Sequence, residues 1–237
     1  MTEIYQEILN SRKKEKKLLA ILIDPDKVSL SDIAALSKKI NQSPATHIFV
    51  GGSLVETNQI DALVLKIKTY CNLPILLFPG NPSQISLLAD GILFLNLVSG
   101  RNPDYLIEHQ INAVPILENS TLEIIPTGYL LIESGKPTAV ERVSQTKPLD
   151  RNNINYICQT AKAAEFMGNK LIYLEAGSGA EAPISIDVIE NVSQRISIPL
   201  IVGGGIRTKT GIENAFKAGA DLVVIGTAFE NDPNFFE

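Results

Sequence analysis

Glu175 stands at the end of an apolar run, Lys170-Leu-Ile-Tyr-Leu174, and Ala176, Gly177, Ser178 and Gly179 follow it at once. A carboxylate among apolar neighbours is costly to bury unless it is paired or used. It suits a general base whose pKa burial has raised; an ion pair with Arg207 or Lys209 is the structural alternative. The glycine-after-strand pattern recurs twice downstream. Pro199-Leu-Ile-Val202 runs into Gly203-Gly-Gly-Ile-Arg207, and Asp221-Leu-Val-Val-Ile225 runs into Gly226 and Thr227. Glycine at a strand end lets backbone N–H groups approach an anion. Three such ends side by side predict a phosphate cradle. Gly203-Gly-Gly205 offers two N–H groups to it, and Gly226 with Thr227 adds another N–H and a hydroxyl.

A second group of polar residues lies near the N-terminus. Leu18-Leu-Ala-Ile-Leu-Ile23 ends in Asp24-Pro-Asp-Lys27, and His47-Ile-Phe-Val50 ends in Gly51-Gly-Ser53. Two carboxylates at a strand end can hold Mg2+, which favours one or two carboxylates together with substrate phosphate oxygens. Asp24 could equally cap the turn or the next helix, and Asp26 could be a turn residue. Ser53 suits a metal shell or a phosphate, and it is also a common turn residue. His47 opens a strand at the end away from the predicted site, and His109 falls late in a predicted helix, so histidine acid–base chemistry is not expected.

These residues need a scaffold that brings strand ends together. Apolar runs recur at spacings that suit βα units. Besides those above, Pro74-Ile-Leu-Leu-Phe78, Gly91-Ile-Leu-Phe-Leu-Asn-Leu97 and Tyr129-Leu-Leu-Ile132 read as strands, which makes eight. Helical patterns separate most of them: residues 31–40 with Ser31 as cap, 59–70, 103–110 with Pro103 in the first turn, 152–167 ended by Gly168, 185–195 and 209–218. Residues 136–148 show no helical period and predict a hairpin or mobile loop. The count favours a closed parallel (β/α)8 barrel over an open sheet, with active residues at the C-terminal strand ends. The 237 residues are near the usual length of one such barrel, and one domain over 1–237 is expected.

Composition narrows the classes. Hydrophobic residues make up 45% and charged residues 20% of the chain, with a net charge of −5, and no basic arm points to nucleic acid. The one basic cluster, Arg12-Lys-Lys-Glu-Lys-Lys17, reads as the solvated end of a first helix, with attraction to an anionic membrane as the alternative. Cys71 and Cys158 have no metal spacing and predict idle thiols in a reducing compartment. No apolar run reaches the roughly 18 residues of a membrane span, and no secretory leader is evident near residue 1, so a cytoplasmic protein is expected.

Six motifs together resemble the geranylgeranylglyceryl phosphate synthase family, including its bacterial heptaprenylglyceryl phosphate synthase-like members. They are Ile23-Asp-Pro-Asp-Lys27, Val50-Gly-Gly-Ser53, Phe78-Pro-Gly-Asn81, Tyr173-Leu-Glu-Ala-Gly-Ser-Gly179, Val202-Gly-Gly-Gly-Ile-Arg207 and Gly226-Thr-Ala228. They span strand one to strand eight, and thus essentially the whole chain. The resemblance implies a modified (β/α)8 TIM barrel and Mg2+-dependent transfer of a polyprenyl group, with geranylgeranyl the expected length, from its diphosphate to the 3-hydroxyl of sn-glycerol 1-phosphate. By that resemblance Asp24 and Ser53 hold the metal, and Glu175 takes the proton of the attacking hydroxyl. Tyr173, Leu174, Glu175, Ala176, Gly177, Ser178, Gly179, Gly204, Gly205, Gly226 and Thr227 bind glycerol phosphate. A homo-oligomer is implied, with peripheral membrane contact for the lipid product. Some bacterial members carry a lysine two residues before the metal aspartate; Leu22 stands there in this chain, so no phosphate role is expected at that position. The prenyl chain needs an apolar groove, for which Phe78, Phe94, Leu97, Tyr105 and Tyr129 are candidates, with ordinary core as their alternative role. Two other classes remain open: a phosphosugar isomerase or synthase, and a non-catalytic phosphate- or lipid-binding barrel.

Overall fold

The structure, a computed structural model, describes residues 3–53, 55, 59–232 and 235–236. Eight parallel strands neighbour one another in sequence order and close into a barrel. They are β1 (Leu18–Ile23), β2 (His47–Val50), β3 (Ile75–Leu77), β4 (Gly91–Asn96), β5 (Glu123–Leu131), β6 (Leu171–Glu175), β7 (Leu200–Gly203) and β8 (Leu222–Ile225). β1 completes the ring by pairing Leu18 with Leu222 and Ile21 with Ile225. Helices cover the outside, so each strand is apolar on both faces and reads as a continuous run rather than an alternation. The two-residue period still sorts the side chains. Phe49, Leu76, Leu93, Ile125, Tyr129, Tyr173 and Ile201 fill the interior, whereas Ile48, Val50, Leu77, Ile172, Leu174 and Val202 face the helices.

The floor of the barrel is closed by α1 (Ile4–Lys13), whose Ile4 and Ile8 join the interior cluster. Glu123 of β5 accepts hydrogen bonds from the Ile4 and Tyr5 backbone N–H groups, at the end of the helix where a negative charge is favourable. The basic cluster is therefore only partly solvated. Arg12 donates to the Ser197 carbonyl at 2.6 Å and faces Asp221 at 3.6 Å, and Lys17 donates to the Ala220 carbonyl at 2.9 Å. Arg12 thus ties α1, and Lys17 the entry to β1, to the β7 and β8 side of the barrel.

The outer helices are α2 (Ile33–Gln42), α3 (Ile60–Tyr70), α4 (His109–Leu117), α5 (Ala139–Ser144), α6 (Ile154–Phe166), α7 (Ile186–Arg195), α8 (Lys209–Lys217) and the short α9 (Thr227–Asn231). Between β3 and β4, where no helical pattern is expected, stands only a 3-10 turn, Pro82–Gln84, in keeping with a modified barrel. Three details differ from the sequence expectation. Ser29, not Ser31, caps the entry to α2; its hydroxyl accepts from the Ser31 N–H at the head of a 3-10 turn, Leu30–Asp32. The helix after β4 begins at Pro103 as expected but runs on past Gln110: a π-type turn, Asp104–Glu108, continues without a break into α4, so His109 lies midway along it rather than near its end. Residues 136–148 are neither hairpin nor featureless loop. They contain α5, capped by the Thr138 hydroxyl, which accepts from the Glu141 N–H. Six helical residues are too few to show a period, which is why no pattern announced them.

Helix α6 packs closely on β5 because Gly128 has no side chain. A Cβ there would fall 2.7 Å from Ala164 Cβ and 3.1 Å from Ile172 Cδ1. Gly128→Ala should therefore overpack this contact and lower stability by about 1–3 kcal/mol. The change should appear in urea unfolding as a lower midpoint with unchanged slope.

Candidate active site

The barrel order gathers the site residues at one mouth. On β6 the alternation points Tyr173 and Glu175 inward and Leu174 and Ala176 toward the helices. Leu174 and Ala176 could thus meet a ligand only through their backbone. Gly177 is buried, while Ser178 and Gly179 are exposed at the rim.

Glu175 is 5% exposed. Its Oε1 accepts from the Gly177 N–H at 2.6 Å. The Tyr173 hydroxyl faces the carboxylate, close enough to favour its charged form but short of hydrogen-bond geometry, and it has no other protein partner. Burial outweighs both polar neighbours and pushes the Glu175 pKa up to about 7. Among the described residues no cation contributes to the state of this carboxyl group, and Arg207 donates to the Ala180 and Glu181 carbonyls. The charge on Glu175 adds to burial in holding Tyr129 and Tyr173 well above the ordinary tyrosine range.

The loop after β7 closes against this carboxyl group. Gly204 has φ +82°, and a Cβ there would fall 2.3 Å from Glu175 Oε1 and 2.7 Å from the Gly177 nitrogen, so only glycine serves. Gly205, also at positive φ, lies over the Ala182–Pro183 peptide. Gly226 precedes the short helix α9, which begins at Thr227. The turns after β6 and β7 thus meet beside Glu175, and the turn after β8, the neighbour of β7, comes next in the ring.

Across the mouth, Asp24 ends β1. Its Oδ1 accepts from the Asp26 N–H at 3.1 Å, and its Oδ2 pairs with Lys27 at 2.9 Å. The carboxylate lies against Gly52, where a Cβ would sit 3.4 Å from Oδ1. Burial draws the Lys27 pKa down, but the hydrogen bond and charge of Asp24 outweigh it, so that the amine stays above its usual value. Glu230 of α9 also reaches this corner. Burial raises its pKa, Lys27 lowers it, and Asp24 raises it again. Neither Lys27 nor Glu230 was assigned a role from the sequence; spacing across the barrel seam between β8 and β1 gives no local signal.

No group of three or more metal-binding side chains occurs among the described residues. A closed protein cage is therefore not the form a metal would take. A hard carboxylate against Gly52, the residue before Ser53, does fit Mg2+, which keeps waters and takes phosphate oxygens from its substrate.

An apolar groove starts at this corner. Gly52, Ser53, Gly80 and Asn81 form its head, and Phe78, Phe94, Leu97, Tyr105 and Tyr129 all line it. The five aromatic and aliphatic candidates are thus wall as well as core. Phe78 stacks on Tyr173 with ring centroids 5.1 Å apart and tilts against Tyr129 at 5.9 Å, so groove and carboxyl share one aromatic floor. Helix α4 adds His109, Gln110 and Ala113, and α5 adds Val140 with Val143 beside it. His109 reaches the groove because its helix continues past Gln110, which places it midway along the helix rather than at the end. His47 is buried at the opposite end of the barrel, where burial lowers its pKa to about 4.

A closed barrel with glycine-rich turns, a buried carboxyl group and an apolar groove at one mouth defines a (β/α)8-barrel enzyme. The chain belongs to the PcrB family, which it matches over residues 10–236. It is 59% identical over 237 residues to a protein of Flavobacterium johnsoniae named geranylgeranylglyceryl phosphate synthase, covering 100% of this chain and 98% of the relative. A protein of that name from the archaeon Korarchaeum cryptofilum is 39% identical, with 92% of this chain and 90% of the relative covered. The crystal structure of (S)-3-O-geranylgeranylglyceryl phosphate synthase from Thermoplasma acidophilum, in complex with its substrate sn-glycerol-1-phosphate, superposes with a TM-score of 0.93 at 32% identity over 100% of this chain and 95% of that one.

The raised pKa of Glu175 has a stability consequence. The folded chain holds this proton up to about pH 7, whereas the unfolded one releases it near 4.5. Between those values the native state binds more protons, so this group's contribution to stability falls as pH rises, by on the order of 3 kcal/mol across the window. Glu175→Gln keeps an acceptor for the Gly177 N–H and removes the ionisation. The variant should gain stability over the parent chain between pH 4.5 and 8, as read by denaturant unfolding at both pH values. Parallel behaviour of the two proteins would show that Glu175 titrates normally.

Proposed function

We propose that the chain transfers a polyprenyl group, with geranylgeranyl as the expected length, from its diphosphate to the 3-hydroxyl of sn-glycerol 1-phosphate, the first ether-forming step toward a phospholipid. The observation that carries this reading is the continuity of the site. One apolar groove begins at Gly52 and Ser53 beside Asp24 and passes Phe78 and Tyr129, whose rings floor the pocket of Glu175. The glycerol phosphate bound in the Thermoplasma acidophilum relative supports the acceptor half of the reading. A phosphosugar isomerase would have no use for such a groove.

In this reading the phosphate of the acceptor sits on the turns of Gly177–Gly179, Gly204–Gly205 and Gly226–Thr227. That placement leaves the glycerol hydroxyls near Glu175. A carboxyl group with a pKa of about 7 is substantially ionised at neutral pH yet basic enough to take the proton of the attacking oxygen. Asp24 and Ser53 would hold Mg2+ at the head of the groove. When bound, the ion neutralises the charge that builds on the departing diphosphate. The faces of Phe78, Tyr129 and Tyr173 border the place where the allylic carbon becomes cationic, and their quadrupoles favour positive charge. The same rings exclude water, which would otherwise compete with the glycerol hydroxyl.

We place the enzyme in the cytoplasm as a homo-oligomer that meets a membrane peripherally to deliver its product. Among the described residues no helix is long and apolar enough to cross a bilayer, and the outer face of α4 with its preceding turn exposes Ile107, Ile111 and Val114.

Purified protein supplied with Mg2+, sn-glycerol 1-phosphate and a graded panel of prenyl diphosphates should release diphosphate and form the ether, with one chain length preferred. Absence of product at every length would refute the reading. Glu175→Gln should cut kcat by about 10²–10⁴-fold while glycerol phosphate still binds in calorimetry. Asp24→Asn should raise the Mg2+ concentration needed for half-maximal turnover; an unaltered Mg2+ titration would place the ion elsewhere.

A further inference from the structure

The segment after β5 touches both halves of the site. Its base is closed by a bridge between Ile132 and Leu149. Within it, Thr138 is 5% exposed and points its methyl group at Gly177. A Cβ on Gly177 would fall 2.3 Å from Thr138 Cγ2, so the methyl occupies the space over that α-carbon. Gly177 is the residue whose N–H holds Glu175 Oε1. One turn further on, Val140 and Val143 line the apolar groove. The far end of α5 is tied down as well. Asn102 Nδ2 donates to the Ser144 carbonyl at 2.8 Å, and the Tyr105 hydroxyl donates to the Val143 carbonyl at 3.2 Å.

We infer that Thr138 is a positioning residue for the Glu175 carboxyl group: its methyl clamps Gly177 in the conformation that aims the Gly177 N–H at Oε1, while its hydroxyl starts the helix that walls the groove. The two functions sit on two different atoms of one side chain. Gly177 has φ +97°, a conformation with no side chain of its own to hold it in place. The clamp supplies that restraint from outside. The N–H it aims is the hydrogen bond that opposes burial and favours the charged form of Glu175. The titratable groups that face Glu175 are Tyr173 on its own strand and Tyr129 on β5. β7 presents only Gly203 and Gly204, and no lysine or arginine contributes to its shift. With no cation present, the Gly177 N–H has an outsized share in setting the pKa.

The inference rests on Glu175 being the base only for its kinetic readout; the direct titration is independent of it. Thr138→Ser removes the methyl and keeps the capping hydroxyl, since serine caps as well as threonine. Thr138→Val keeps the methyl and removes the cap. The Glu175 carboxyl should be titrated by 13C NMR in the parent chain and both variants, alongside the pH profile of kcat/KM. Thr138→Ser should move the Glu175 midpoint and the acid limb of the profile up by about half to one pH unit, a three- to tenfold loss of kcat/KM on that limb, with little change in melting temperature. Thr138→Val should melt lower but titrate like the parent. An unmoved Glu175 midpoint in Thr138→Ser, or an equal shift in Thr138→Val, would overturn the inference. A midpoint that moves in NMR while the activity limb stays put would uphold the clamp and instead sink the general-base reading of Glu175.

Discussion

Much of this molecule is arranged around one buried carboxyl group. Glu175 ends β6 with its side chain turned into an apolar barrel, and no cation answers it. Such a group survives folding because it stays largely protonated below neutrality and because the Gly177 N–H meets it at 2.6 Å. The neighbouring chain has to make room. A side chain at Gly204 would strike Oε1 at 2.3 Å, and one at Gly203 would strike the Tyr173 hydroxyl at 2.4 Å. The glycines of the β7 turn are therefore the ones that let a carboxyl group and a phenol approach the next strand.

The second half of the site depends on ring closure. β1 neighbours β2 on one side and β8 on the other. Asp24 consequently meets Gly52 of the β2 turn and Glu230 of the helix after β8. The β3 turn lies close to the same corner: a Cβ at Gly80 would fall 2.5 Å from the Ser53 carbonyl. The head of the groove is thus lined by the β2 and β3 turns, with the β1 end against Gly52. Its floor is built from aromatic rings that reach across the barrel from β3, β5 and β6.

The fold was legible because parallel barrel strands are short, apolar and followed by glycine or aspartate, and each of these marks is local. The same locality explains the errors. Ser29 and Ser31 are both good caps by type, and only the 3-10 turn between Ser29 and α2 makes Ser29 the cap. The helix after β4 starts at Pro103, which suits a first turn, but its run on to Leu117 passes through Pro115, a residue that ordinarily stops a helix. α5 was invisible, being one and a half turns of mixed polarity whose burial comes from the loops around it. The basic cluster was read by its charge, yet Arg12 and Lys17 are spent on carbonyls of residues 197 and 220, far along the chain.

By itself the sequence determined which residues end the strands: Asp24, Ser53, Glu175, Gly204 and Gly226 each follow an apolar run, and the period of two decides which of them turn inward. It also carried the family, since the motifs run from the first strand to the last. What only the tertiary structure decided is the environment of those residues. A pKa depends on burial and on which donors arrive from other strands, so the poise of Glu175 near neutrality exists only once Gly177, Tyr173 and the absence of any cation are fixed in space. The groove is likewise a property of gaps between elements, and gaps have no residue of their own to be read.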